Sequence, residues 1–168
     1  AANRIREIYD PNGLDSAGHP SGLPAIQYRY DSAGNLATVH RLTDRNATNP
    51  VYLTTTFLYE NPNYPHYITS IQDPRGVTGI RNEYGEDGRL KSMTDASGKT
   101  ISHVHNISGR TETIVDRLGF TNVFEYDIKG NVTNAVNALG QVSTYEFDSD
   151  DNKTREVLAG AVTNTFSY

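Results

Sequence analysis

The 168-residue chain has no cysteine, no tryptophan and a single methionine. Without cysteine there can be no disulfide, no thiolate nucleophile and no cysteine-bearing zinc or iron–sulfur site. Apolar residues make up only 36% of the chain. That is low against the ~45–50% of ordinary domains, even with glycine counted in place of tyrosine. The strong helix formers leucine, lysine and methionine are scarce, which excludes a helical bundle. No apolar run approaches the ~18 residues of a membrane-spanning helix, and no charged-then-apolar leader opens the sequence, so membrane insertion is not expected. The net charge is −5. Its 11 arginines and 4 lysines are scattered, leaving no basic stripe to follow a phosphate backbone and no expectation of nucleic acid as a partner. In place of what is missing stand 11 tyrosines, 14 glycines, 15 asparagines and 18 threonines, a composition of strands and turns.

These residues recur at a fixed interval. Tyr84, His105, Tyr126, Phe147 and Tyr168 are each 21 residues apart, and Gly88, Gly109, Gly130 and Asp151 follow four residues behind the first four. A second glycine series, Gly76, Gly98, Gly119, Gly140 and Gly160, keeps nearly the same step, with Asp73, Asp95, Asp116 and Asn137 three residues ahead of its first four members. Four coincident series at one period define a repeat protein. Earlier copies are looser. Tyr28-Arg29-Tyr30-Asp31-Ser32-Ala33-Gly34-Asn35-Leu36 has the layout of Phe124-Glu125-Tyr126-Asp127-Ile128-Lys129-Gly130-Asn131-Val132, and Asp10-Pro11-Asn12-Gly13 matches Asp73-Pro74-Arg75-Gly76. Phe57-Leu58-Tyr59-Glu60 opens a copy whose glycine turn is replaced by the stiffer Asn61-Pro62-Asn63-Tyr64-Pro65. Repeats therefore start near residues 28, 57, 82, 103, 124 and 145, with another opening at 166 and insertions at about 14–24 and 46–51.

Within Phe120–Tyr126, alternate residues share a face, aromatic on one side and Thr, Val or Glu on the other, which is strand periodicity. Asp-x-x-Gly then makes a turn: the aspartate accepts from nearby amides, and glycine takes a positive φ without a Cβ clash. The returning segments, Leu90–Thr94 and Val132–Val136, space apolar residues by three as well as two, as a β-bulge would. Two turns per 21 residues leave two short strands, a hairpin meander. The pair of positions ending each first strand (28/30, 57/59, 82/84, 103/105, 124/126, 145/147, 166/168) is Tyr or Phe in 11 of 14 cases, the exceptions being Asn82, His103 and His105. Stacked repeats place these rings in ladders on one sheet face, where neighbours supply the burial no single unit achieves.

Tyr-x-Tyr-Asp-x-x-Gly-Asn-Leu followed by Asp-Pro-x-Gly, best matched at Tyr28–Leu36, Asp73–Gly76 and Phe124–Gly140, resembles the YD-repeat or Rhs (rearrangement hot spot) family. The likeness covers nearly the whole chain. It departs at Gly85 and Asn106, which occupy the place of the first-turn aspartate, and at Asp151, which replaces glycine. The resemblance implies an all-β fold: an antiparallel hairpin-repeat array whose spiralling sheet forms part of a shell. In that family such shells enclose C-terminal toxin domains of bacterial polymorphic toxins and insecticidal toxin complexes, or form the extracellular barrel of teneurins. Some members are carbohydrate-associated surface proteins. The whole chain is then one segment of a longer secreted or cell-surface protein. Its implied partners are flanking repeats of the same or a neighbouring chain, an enclosed toxin domain or surface glycans.

Motifs that mimic catalytic or metal chemistry yield to structural readings. His103-x-His105 projects two imidazoles from one strand face, an acceptable metal pair by geometry, but both fill ring-ladder positions. Asp148-x-Asp150-x-Asn152 imitates the start of a calcium loop, yet Lys153 and Ala159 stand where that loop needs Gly and Glu. The aspartates recur as turn formers rather than as a catalytic pair, and no nucleophile elbow or phosphate loop appears. No catalysis, metal or cofactor is therefore expected. The expected function is structural, with self-association through sheet edges. A carbohydrate-binding or adhesive module is the alternative, with Tyr64 and Tyr67 of the Pro/Tyr loop and the 14–24 insertion as contact candidates.

Overall fold

The computed structural model describes residues 3–46 and 49–168. Ala47 and Thr48, within the 46–51 insertion, lie outside the described residues. The chain divides into two compact units, Ala1–Asn82 and Glu83–Tyr168. The first contains β1 (Glu7–Ile8), β2 (Ile26–Tyr30), β3 (Leu36–Asp44), β4 (Val51–Leu58), β5 (Ser70–Gln72) and most of β6 (Thr78–Tyr84). The second contains β7 (Leu90–Asp95), β8 (Thr100–Asn106), β9 (Thr111–Val115), β10 (Thr121–Tyr126), β11 (Val132–Val136), β12 (Val142–Phe147), β13 (Lys153–Leu158) and β14 (Val162–Thr165). Within each unit the strands pair in chain order, each antiparallel to the next. The expected all-β hairpin meander is what forms. Its only helical turn among the described residues is a 3-10 turn at Pro11–Gly13.

The turns follow one design. Gly34 N donates to Asp31 O at 3.1 Å and Asp31 N to Asn35 O at 2.9 Å, while Gly34 adopts φ +89°. This is a type I turn followed by a left-handed residue, the three-residue hairpin loop with a G1 bulge. The same pair of bonds recurs from Asp73, Asp95, Asp116, Asp127 and Asn137, and from Gly85 where aspartate is missing. At Asp148 the left-handed position falls to Asp151, with φ +65°. Gly109 differs: it stays outside the left-handed region, and Arg110 takes φ +50° one residue later, its amide donating to Ile107 O at 3.2 Å. In this turn the Asn106 side-chain oxygen accepts the Gly109 amide at 2.9 Å.

The bulge implied by mixed apolar spacing lies just after the first turn of a repeat. Tyr126 pairs with Val132 but Glu125 with Asn134, leaving Thr133 as the extra residue, and Ala37 and Thr154 are placed alike. Threonine serves this position because its hydroxyl bridges the disturbed ladder: Thr133 Oγ1 donates to Glu125 O at 3.4 Å and Thr154 Oγ1 to Glu146 O at 3.2 Å. A bulge at Thr43 does the same to Val51 O at 2.9 Å. After the second-type turns at Asp95, Asp116 and Asn137, pairing resumes without a bulge.

The 14–24 insertion is itself a small hairpin. Asp15-x-x-Gly18 makes the same turn, with Gly18 at φ +82°, and closes a bridge between Leu14 and Pro20. Its return folds over the Pro11–Gly13 turn, and Arg45 holds it by donating to Leu23 O and to Asp10 Oδ1. A Cβ at Gly13 would come within 2.9 Å of Leu23 O, so that position has room only for glycine.

No aliphatic or aromatic side chain among the described residues is fully buried, and Ser70 and Ser92 are each only 8% exposed. Each unit is a single layer, so stability comes from half-buried rings, ladder bonds and turns. Ala161 pays a backbone penalty at φ +64° without a glycine's freedom. Ala161→Gly is expected to stabilise the chain by about 1 kcal/mol in urea unfolding, the strain of one left-handed L-residue.

Candidate functional site

Two sets of side chains tie one repeat to the next. The first is the ring ladder. Tyr30 OH donates to Ile5 O at 3.0 Å and Tyr59 OH to Leu36 O at 3.1 Å. Each hydroxyl thus reaches across to the adjacent strand and satisfies a carbonyl at or just before its start. Where His105 replaces that Tyr, the bond persists with other chemistry, His105 Nε2 meeting Leu90 O at 2.9 Å; at the first position of its pair, Asn82 Nδ2 also donates to a carbonyl, Ile68 O at 3.0 Å. Tyr126 OH instead donates to Glu112 Oε2 at 3.3 Å. Burial, then the Asp31 charge, pushes the Tyr59 hydroxyl above its ordinary value, and burial followed by Glu112 does so for Tyr126. Both therefore remain donors at neutral pH. Phe124, Tyr145 and Phe147 share one ring face around Val132, Ala135 and Lys153, and the Lys153 ammonium lies 5.6 Å from the Tyr145 ring and 5.2 Å from that of Phe166.

The second set runs along the turns. Asn35 Nδ2 donates to Asp31 Oδ2 and to Pro65 O, each at 3.0 Å, while its Oδ1 accepts from His66 Nδ1 at 2.7 Å. Asn131 repeats the device, donating to Asp127 Oδ2 at 3.1 Å and to Asp151 Oδ1 at 2.9 Å in the following turn. Lys129 joins that turn through Asp151 at 3.0 Å, and on the alternate turns Arg117 reaches Asp95 at 3.0 Å. The asparagine after the turn glycine is thus a link between repeats.

The turn carboxylates of Asp31, Asp73, Asp95 and Asp148 are held below the ordinary value of 3.8. The Asn35 amide does this chiefly for Asp31, the Ser97 hydroxyl and Lys99 amide for Asp95, the Arg75 side chain for Asp73, and the Asn152 side chain for Asp148. Groups so depressed lend stability that is complete above their unfolded value and lost as pH falls through the folded one. The carboxylate part of acid unfolding is therefore expected to deepen as pH falls through 3.8, where unfolded aspartates are half protonated, and to continue down through the lower folded values. A pH series of thermal unfolding checks this.

His103 and His105 do lie on one face, their rings parallel within 13° and 6.0 Å apart. Both meet Glu112 of β9: His103 Nδ1 lies 2.8 Å from Oε1 and His105 Nδ1 3.5 Å from Oε2. Burial works to raise Glu112, but the His103 hydrogen bond, the two imidazole charges and the Tyr126 hydroxyl outweigh it and hold the carboxyl below its ordinary value. Among the described residues no group of three or more His, Asp or Glu is arranged to hold a metal ion. Glu112 was invisible to spacing arguments, because the residues opposite the same ring position elsewhere are Leu36, Val132 and Lys153, with no acid among them. The asparagine links were legible in the repeated Gly-Asn at 34–35 and 130–131. The Asp148–Asn152 calcium mimic is a turn whose Oδ1 accepts the Asp150 and Asn152 amides, each at 2.9 Å.

Tyr64 and Tyr67 stack on each other, centroids 4.9 Å apart and 16° from parallel, with Tyr67 39% exposed. Their loop is shaped by Asn61, whose Oδ1 accepts the Asn63 and Tyr64 amides, and is anchored by Asn35. The 14–24 insertion is committed to the Pro11–Gly13 turn and lies apart from this tyrosine pair in its bonding.

Fold and links together define a class: a single-layer antiparallel hairpin-repeat sheet stitched through rings and turns. Among solved structures, the crystal structure of TcdB2-TccC3-TEV shares this fold, with a TM-score of 0.50 and 12% sequence identity over 90% of this chain. The likeness is one of fold, and this chain spans 10% of the length of that one. No protein-family model matches the sequence, and no curated protein matches it.

Proposed function

We propose that the chain is a non-catalytic structural module, a stretch of YD/Rhs-type sheet in the wall of a shell or fibre belonging to a longer secreted or cell-surface protein. The observation that carries this reading is where the polar side chains of the ladder and turns point. Tyr59, Asn35, Asn131 and Arg117 are spent on neighbouring repeats. The resemblance of the motifs and the fold shared with TcdB2-TccC3-TEV support it. By the same reading the module helps to enclose a toxin domain, and further repeats complete its sheet. No helix among the described residues is long and apolar enough to cross a membrane. The test is the flanking sequence of the parent gene together with electron microscopy of its product. Further repeats of the same period and a hollow or fibrous particle are expected, and a gene ending at Tyr168 would overturn the reading.

The alternative, a glycan-binding or adhesive surface, rests on the exposed Tyr67 ring stacked on Tyr64. A glycan array of the chain against Tyr67→Ala decides it: signals lost in the variant support binding there, and an array blank for both removes the alternative.

A further inference from the structure

Among the described residues no strand pairs with the outer edge of β1 or of β14. Each edge is one half of a junction that the chain forms elsewhere in full. β14 lies two periods beyond β10: Phe166 and Tyr168 hold the places of Phe124 and Tyr126, and Thr165 that of Val123. The later neighbour of β10 is the returning strand β11, where Phe124 faces Ala135 and Tyr126 faces Val132. β1 is itself a returning strand, and its Asp10 turn corresponds to the Asn137 turn. Toward β2 it sets Glu7 opposite Gln27 and Ile8 opposite Ile26, as β11 sets Asn134 opposite Thr144 and Ala135 opposite Ser143. Counted back from the turn, Ile8 matches Ala135 and Ile5 matches Val132. Backbone polarity agrees. Phe166 N donates inward to Thr154 O, so the alternate residues Thr163 and Thr165 turn their amides and carbonyls outward. The Arg6 and Ile8 carbonyls accept the Tyr28 and Ala25 amides on the β2 side, so Glu7 turns its own groups outward. Side chains agree as well. Phe124, Tyr126, Val132 and Ala135 are half-buried, whereas Ile5, Ile8, Phe166 and Tyr168 are 65%, 41%, 39% and 81% exposed.

We infer that the two edges are complementary, and that a second copy of this chain seats its β1 on β14, antiparallel and in the register of β11 on β10. Phe166 then meets Ile8 of the second copy, Tyr168 meets its Ile5, and Thr165 falls opposite its Tyr9, as Val123 does opposite Val136. The contact is heterologous: it uses a different surface on each copy, so every joined pair keeps one open edge of each kind. Edge association, expected from unpaired strands in general, thereby acquires a polarity and a register. The inference rests on the repeat register and not on the shell reading. In a longer chain flanking repeats take the same two edges, and the flanking sequence is tested separately.

The test is the mass of the 168-residue chain by sedimentation at concentrations up to about 1 mM. Glu7→Pro and Thr165→Pro each remove one outward amide and leave the inward ladder bonds in place. The unaltered chain is expected to grow beyond a dimer as concentration rises, and each variant alone to stay monomeric. An equimolar mixture of the two variants is expected to reach twice the monomer mass and stop there, because one keeps an open β14 and the other an open β1. Circular dichroism checks that both are folded. Should a proline chain fail to fold, Ile5→Lys and Tyr168→Lys repeat the comparison at the two most exposed of the four apolar positions, with the backbone intact. An unaltered chain that stays monomeric throughout, a single variant that still self-associates, or a mixture that stays monomeric would overturn the pairing.

Discussion

Tyr59→Ala is expected to destabilise the first unit by about 2–3 kcal/mol, and Tyr59→Phe by about 1 kcal/mol. The ring is half-buried, in a sheet where no hydrophobic side chain among the described residues is buried outright, so its removal takes a large share of the apolar contact available locally. Phenylalanine keeps that contact and loses only the bond to Leu36 O at 3.1 Å. Urea unfolding followed by tyrosine fluorescence separates the two contributions. Equal losses for both variants would mean that the hydroxyl link, and not ring burial, dominates the ladder.

Gly130→Val is expected to destabilise the second unit by 2 kcal/mol or somewhat more, on the order of the left-handed penalty augmented by β-branching. Gly130 sits at φ +94°, and a Cβ there would meet nothing within 4 Å, so the effect is backbone strain without a steric clash. Gly79 is the control. It is the extra residue of a bulge in β6, outside the left-handed region, where a Cβ meets only Ile71 O at 4.0 Å, and Gly79→Ala is expected to be close to neutral. A Gly130→Val chain as stable as the parent would show that the turn can be rebuilt, as it is around Arg110.

Much of this architecture is legible in the sequence because a repeat writes each structural requirement several times. The turn glycines at 34, 76, 98, 119, 130 and 140 announce left-handed backbone, and the Tyr and Phe pairs announce a common face. What escapes the period is chemistry expressed once. Glu112 has its meaning only across a strand from His105, and pairing register, not spacing, brings the two together. The insertion at 14–24 hides a turn whose Asp15-Ser16-Ala17-Gly18 is identical to Asp31–Gly34, obscured because its strands are too short to show alternation. The bulge was foreshadowed by mixed spacing, whereas the use of Thr133 and Thr154 to bridge it appears only when the carbonyls opposite are placed.

The inter-repeat links give a physical reason for the low apolar content noted at the outset. A sheet that buries its rings only halfway needs fewer aliphatic residues, and it spends asparagine, aspartate and threonine on joining neighbours. Such a construction is additive along the chain, each repeat held by intrinsic and nearest-neighbour terms. The most direct test of that claim is removal of one whole period. Deleting residues 124–144 removes the end of β10, all of β11 and the start of β12, and joins Val123 to Tyr145, so that Thr121–Val123 runs on into Tyr145–Phe147 as one strand with Tyr145 in the place of Phe124. The account expects a folded, shorter sheet that retains its β-type circular dichroism and a cooperative transition. Deleting only 124–134 breaks the period and is expected to prevent folding of the second unit. A whole-period deletion that unfolds the chain as completely as the partial one would contradict the repeat-by-repeat account.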